Sequence, residues 1–139
     1  MVFTSEPVVI ATIQCELRSN IHSGEIVYSR LDRAGKSQSK HNSIALGFSI
    51  KDKEQNSPVL GIALASGTIG TYIALQVYGV TRLRIIKDSY HCTMQNMVYP
   101  QGGVYQPSRD GSIIVLSDAI LITGKDPAKI YEMNVLVLS

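Results

Sequence analysis

Apolar and polar residues alternate with a period of two along much of this chain. The alternation is clearest in residues 58–81, PVLGIALASGTIGTYIALQVYGVT. Leu60, Ile62 and Leu64 alternate with Gly61, Ala63 and Ala65; beyond the glycines, Ile73, Leu75 and Val77 alternate with Tyr72, Ala74, Gln76 and Tyr78. Successive side chains of a strand point to opposite faces, so the pattern predicts a buried β-hairpin that turns at Ser66-Gly67-Thr68-Ile69-Gly70. No charged residue falls between Glu54 and Arg82, and two helical structures compete for such a run. A transmembrane helix needs about 20 mostly apolar residues, and a single long buried helix needs fewer. Gly61, Gly67, Gly70 and Gly79 weigh against a helix in water, where each interior glycine costs roughly 1 kcal/mol relative to alanine. Lipid tolerates glycine, so the i, i+2, i+4 spacing of the large side chains is what favours strands over either helix.

The same reading extends to the rest of the chain. Residues 8–17 predict a first strand, apolar on both faces where it begins and preceded by Pro7, with turn chemistry at Arg18-Ser19-Asn20. Residues 25–31 predict a second strand, with Ile26, Tyr28 and Arg30 on one face and Val27 and Ser29 on the other. Residues 43–50 predict a third, burying Ile44, Leu46, Phe48 and Ile50, with Gly47 opposite as a close approach or a bulge. Residues 81–87 predict a separate strand with Leu83 and Ile85 on one face and Arg82, Arg84 and Ile86 on the other. Residues 90–98 continue in β fashion. Residues 99–111, YPQGGVYQPSRDG, hold two prolines and three glycines and predict a long loop. Residues 112–123 are strongly apolar but broken by Ser117-Asp118, which predicts one bent strand or two short ones. Asp126 and Pro127 can cap a single helical turn to Tyr131, and residues 133–138 close the chain as a strand docked in a sheet.

About eight to ten short strands with turn signals between them, and little helix, predict an all-β fold. An antiparallel sandwich of jelly-roll type or a closed barrel best manages the exposed strand edges. A length of 139 residues fits a single β domain, 1–139.

Composition sharpens this picture in one respect. Apolar residues make up an ordinary 45%, but charged residues only 17%; either part of the surface faces another subunit rather than water, or the abundant Ser, Thr, Gln and Asn cover it. The net charge of +2 is too small to imply a polyanion partner by itself. The first residues lack the basic start of a signal peptide, no N-glycosylation acceptor occurs, and Cys15 and Cys92 are the only cysteines. An intracellular (cytoplasmic) or virion location is expected, with no secretion and no transmembrane segment favoured.

Candidate chemistry is sparse. Gly35-Lys36-Ser37 resembles the end of a phosphate-binding loop, but Arg30 stands where the motif needs its first glycine. His22, His41, His91, Cys15 and Cys92 have no metal-ligand spacing, so neither a metal nor another cofactor is implied, and no local signature marks a catalytic Cys–His pair. The basic residues fall in two groups: Arg30, Arg33, Lys36 and Lys40, then Arg82, Arg84 and Lys87. Joined in one patch they can bind phosphates; apart, they form a solvated face. Tyr72 and Tyr78 lie off the core face of the central strand, where tyrosine suits an interface as well as simple sheet packing. Asp118 is either a solvated turn residue or a buried carboxylate paired with a base across a subunit contact.

The function these features predict is that of a non-enzymatic structural or interaction protein whose partner is itself in a homo-oligomer. A viral or phage structural subunit (matrix, coat or decoration) is one such protein. An alternative is a binding module for an anionic ligand, nucleic acid or a membrane surface, through the basic residues. A second is a small enzyme or carbohydrate-binding protein that uses the 99–111 loop, with Tyr105, Arg109 and Asp110 as its polar groups.

Overall fold

The computed structural model describes residues 11–36, 38–40, 44–86, 97–98, 100–101, 104–105, 113–116, 120–124 and 129–137. Every helix-or-strand element among them is a strand: β1 (Ala11–Leu17), β2 (Ile26–Tyr28), β3 (Ser39–Lys40), β4 (Ile44–Gly47), β5 (Val59–Ala63), β6 (Tyr72–Ile86), β7 (Met97–Val98), β8 (Pro100–Gln101), β9 (Val104–Tyr105), β10 (Ile113–Val115), β11 (Ile120–Thr123) and β12 (Ile130–Val137). The all-β expectation holds in its open, sandwich-like form. The main sheet runs β3-β4-β1-β6-β12-β10-β7 without closing into a barrel. Two of its pairings, β1 with β4 and β7 with β10, are parallel, although the sequence predicts an antiparallel arrangement. Parallel neighbours need a long connection between them, and β2 and β3 supply it between β1 and β4.

The expected central hairpin is present. β5 and β6 pair antiparallel through Ile62 with Gln76 and Ala63 with Leu75. Their turn is tied down by a reciprocal pair of backbone hydrogen bonds between Ile21 and Gly67, 2.9 and 3.0 Å long. Asn20 Oδ1 also accepts the Ile69 N–H at 3.1 Å. The described helix-or-strand elements include no helix long and apolar enough to cross a membrane.

β6 departs from the sequence reading. Residues 81–86 do not begin a new strand; β6 is continuous over 15 residues, Tyr72–Ile86. Its first half pairs with β1 on one edge and β5 on the other, and its second half, from Gly79, pairs with β12. At the junction the chain bends. The register against β1 shifts between Ala11 and Thr12, Gly79 has φ +107°, and the Gln76 side-chain amide donates to the Val80 carbonyl at 3.1 Å. Four residues of straight strand span about 13 Å, so that last contact requires the bend. A positive φ favours glycine, and a bulged, bent strand can pass from one sheet to another without ending.

Two apolar clusters follow from this path. The larger holds Ile26 and Tyr28 of β2 and Ile62 of β5, packed against Leu83 and Ile85 of β6, Ile113 and Val115 of β10, and Met133, Val135 and Val137 of β12. The smaller holds Cys15, Leu17, Ile21, Val27, Ala63, Ile73 and Leu75. β2 therefore lies between them, feeding one cluster from each face. Each large apolar side chain buried in this way contributes roughly 1.5–3 kcal/mol. Leu60 is an extra residue in β5, because Val27 pairs with Gly61 and Tyr28 with Val59. The bulge reverses the phase, so Leu60 packs with the smaller cluster and Val59 with the larger.

Other expectations need correction. Leu64, expected in the core, is 42% exposed because β5 ends before it. In β1 the buried residues are Cys15, Glu16 and Leu17, whereas Ala11 and Thr12 are exposed; residues 8–10 lie outside the described set. In β4, Ile44 and Leu46 are half-buried and Gly47 faces the interior, in the close approach its position suggests. The helical turn to Tyr131 is absent at Ile130 and Tyr131, which belong to β12; pairing with β6 and β11 overrides any local cap. Residues 113–115 and 120–123 are two short strands, both on β12.

Candidate functional site

The alternation places Tyr72, Gln76 and Tyr78 on the side of β6 away from the core; the two tyrosines are open to solvent, whereas Gln76 is buried, with its amide on the Val80 carbonyl. Tyr72 and Tyr78 are 49% and 44% exposed. At the start of the strand, the Lys40 ammonium donates to the Tyr72 hydroxyl at 2.9 Å, lies 5.5 Å from the centre of the Tyr72 ring, and sits 3.6 Å from Glu16 Oε1. Glu16 and Tyr72 are brought together by the β1–β6 register. The Tyr72 hydroxyl first, and the Glu16 carboxylate second, raise the Lys40 pKa above its ordinary value.

Past the bend, Val80, Arg82 and Arg84 continue the same row. Asn134 lies opposite Arg82 and Glu132 opposite Arg84 on β12, and Arg84 Nη2 reaches Glu132 Oε1 at 3.6 Å. Arg84 Nε is buried with no hydrogen-bond partner among the described residues. On the other side, Gly24 accepts the Arg84 N–H at 2.7 Å and donates its own N–H to the Ala63 carbonyl at 2.8 Å. Gly24 has φ +88°, and a Cβ there would lie 3.0 Å from Arg84 Cβ. Its missing side chain lets this loop close on β6. Between that contact and the end of β5 lies an open groove of about 470 Å³, lined by Gly24, Ala63, Leu64, Val80, Arg82 and Asn134 among others. Its size falls in the range of small-ligand sites.

The remaining basic residues are placed elsewhere. Arg30 stacks 4.2 Å over the Phe48 ring, and its Nε donates to the Asp52 carbonyl at 3.1 Å. Asp52 in turn binds the hydroxyls of Ser19 and Ser49, so this polar cluster fastens two loops. Arg33 and Lys36 are exposed in a turn where Asp32 Oδ1 accepts the N–H groups of Ala34 and Lys36, at 2.9 and 3.0 Å. The phosphate-loop look-alike is this turn, and β3 rather than a helix follows it. Lys40 packs on Tyr72 near the start of β6 and Arg82 lies ten positions further along the strand from Tyr72. Lys87 lies outside the described residues.

Residues 100–105 contain more structure than the expected loop: β8 and β9 pair antiparallel, with Tyr105 opposite Pro100. Arg109, Asp110, Asp118, His41, His91 and Cys92 lie outside the described residues. Cys15 is a free, buried thiol whose pKa is pushed up to about 11, by burial first and by Glu16 second. It holds its proton at neutral pH and is not an activated nucleophile.

Two features escaped the sequence reading. Glu132 and Asn134 alternate with the buried Met133 and Val135, a period-two signal that marks them as outward-facing. β11 is the other. Its apolar residues predict a strand without saying what covers either face, and Ile120, Leu121 and Ile122 are 63%, 48% and 48% exposed. Among the described strands β11 pairs only with β12, and its register shifts between Leu121 and Thr123.

No family model, no curated protein and no solved structure matches this chain.

Proposed function

We propose that this chain is an interaction protein that works as a homo-oligomer, with β11 as part of the contact between copies. The observation that carries the reading is the exposure of Ile120, Leu121 and Ile122 on a short strand without a charged residue. Natural sheets protect an exposed edge with lysine, proline or a covering element. Among the described residues β11 has only its bulge for that purpose, and three large aliphatic side chains in a row are the kind of patch that marks a contact surface. A contact between identical patches is the commonest form of assembly, and the low charged fraction of the chain agrees with it. A viral or phage structural subunit would be one protein of this kind.

The polyanion alternative is less favoured. Arg30, Lys40 and Arg84 are engaged by Asp52 and Phe48, by Glu16 and Tyr72, and by Glu132. The test is molar mass by light scattering coupled to size exclusion at micromolar protein. The expected mass is a multiple of the 15.2 kDa chain, reduced to the single chain by Ile120→Lys with Ile122→Lys. A single-chain mass for the unmodified protein would overturn the proposal.

A further inference from the structure

We infer that the groove beside the bend in β6 is a binding site for a small aliphatic monocarboxylate, with Arg82 taking the carboxylate and Leu64 and Val80 taking the carbon chain. Arg82 lines the groove, is exposed, and has no ion-pair partner among the described residues. A guanidinium binds a carboxylate through two parallel hydrogen bonds, the strongest pairing available to one side chain. Arg84, one pair further along the same row, is already held by Glu132 at 3.6 Å, so the groove has one cation to offer rather than two.

That inventory selects the charge of the ligand. Glu132 also lines the groove, whereas Arg84 does not, and a dianion such as a phosphate monoester would meet Arg82 and this carboxylate with a surplus of negative charge. A monoanion matches the single available guanidinium. The apolar wall selects the rest of the molecule. Leu64 and Val80 are 42% and 38% exposed there, Gly24 adds a surface without a side chain, and Ser23, Thr81 and Asn134 complete the lining. An aliphatic chain covers Leu64 and Val80 and gains from leaving water. The site owes its shape to backbone geometry: β5 stops at Ala63, and Gly24 returns to β6 only at Arg84.

Sodium hexanoate is the probe, with inorganic phosphate and hexylammonium as the controls for charge and chain. Titration calorimetry on the full chain should show saturable binding of hexanoate and none of either control. Arg82→Gln should weaken hexanoate at least about tenfold, and Leu64→Ser should weaken it several-fold, while both variants keep the thermal midpoint of the unmodified protein. Three results would overturn the assignment: no saturable hexanoate binding, unchanged affinity in Arg82→Gln, or phosphate binding as tightly as hexanoate. Molar mass measured on the same samples keeps this outcome separate from that of self-association.

Discussion

A methyl group added at Gly47 tests the packing of β4 on β1. The two strands run parallel, with Leu17 opposite Gly47 and Cys15 opposite Ala45. A Cβ on residue 47 would lie 2.3 Å from Cys15 Sγ and 2.6 Å from Val27 Cγ1. Both distances fall well short of van der Waals contact, where carbon atoms rest about 3.5–4.0 Å apart. Cys15 and Val27 are each 0% exposed, so neither can swing into solvent. Overpacking of a closed site costs about 1–3 kcal/mol. The loss of glycine's extra freedom in the unfolded chain returns about 0.4–1 kcal/mol where the backbone tolerates alanine. Gly47→Ala should therefore destabilise the protein by about 1–2 kcal/mol, a fall in melting temperature of about 4 °C per kcal/mol for a domain of this size.

The obstacle nearest the new methyl is a sulfur, which permits a sharper check. Cys15→Ala alone should cost about 1 kcal/mol, as the loss of one buried group of roughly methylene size. In the double variant the methyl introduced at position 47 enters the space that Sγ vacates. The combined loss should then fall short of the sum of the single losses by about 1 kcal/mol or more, a coupling of the size expected for residues in contact. It should not vanish, because Val27 remains in the way. Urea unfolding of all four proteins at one fixed concentration gives the cycle; fixing the concentration removes the effect of self-association on stability. A neutral Gly47→Ala, or strict additivity in the double variant, would refute the approach of β4 to Cys15.

Two further outcomes follow from the same geometry. Gly79→Val should destabilise by about 1–3 kcal/mol, because φ +107° is a backbone conformation that β-branched residues avoid; a thermal midpoint equal to that of the unmodified protein would show that β6 does not bend there. Glu25 has its pKa raised by burial, against the opposing charges of His22, Arg84 and Lys51. A carboxyl whose folded pKa lies above its unfolded value holds its proton longer in the native state, so it lowers stability as pH rises through that window. Glu25→Gln should thus melt higher than the unmodified protein at pH 7, with the difference shrinking as pH falls towards the ordinary glutamate range. A variant that melts lower at pH 7 would mean that the contacts favouring the Glu25 carboxylate outweigh its burial.

Much of the fold was legible in single-strand alternation. Ile73, Leu75, Leu83 and Ile85 are all buried, while Tyr72, Tyr78 and Arg82 between and around them are exposed. What alternation does not carry is phase across an irregularity. Leu60 and Ile62 look equivalent in the sequence, yet the bulge at Leu60 sends them to different clusters. Hydrophobicity likewise cannot separate a core from a contact surface. Ile113 and Ile120 stand in the same apolar run, but one is 0% and the other 63% exposed. The row of Arg82 and Arg84 was legible, whereas their neighbours were not: Glu132 and Asn134 arrive on β12, and only the register reveals that they answer the two arginines.

Gly79 is the reason alternation alone suggests two strands and carries no sign of the groove. A glycine after Tyr78 in an alternating run reads as a place where a strand stops. In three dimensions the ladder continues through it, with Gly79 opposite Val137 and Val80 opposite Leu136. The bend turns one strand of the main sheet from one set of neighbours to another, and the neighbours that fit its first half cannot follow it into the second. β5 pairs with β6 only at residues 75 and 76, with its end at Ala63 directed towards the start of β6, and Gly24, bonded to Ala63, meets β6 again at Arg84. The space left between them is the groove. The two features share a cause, so a strand straightened at Gly79 should lose the hexanoate site and the split core together, whereas removal of Arg82 should cost the site alone.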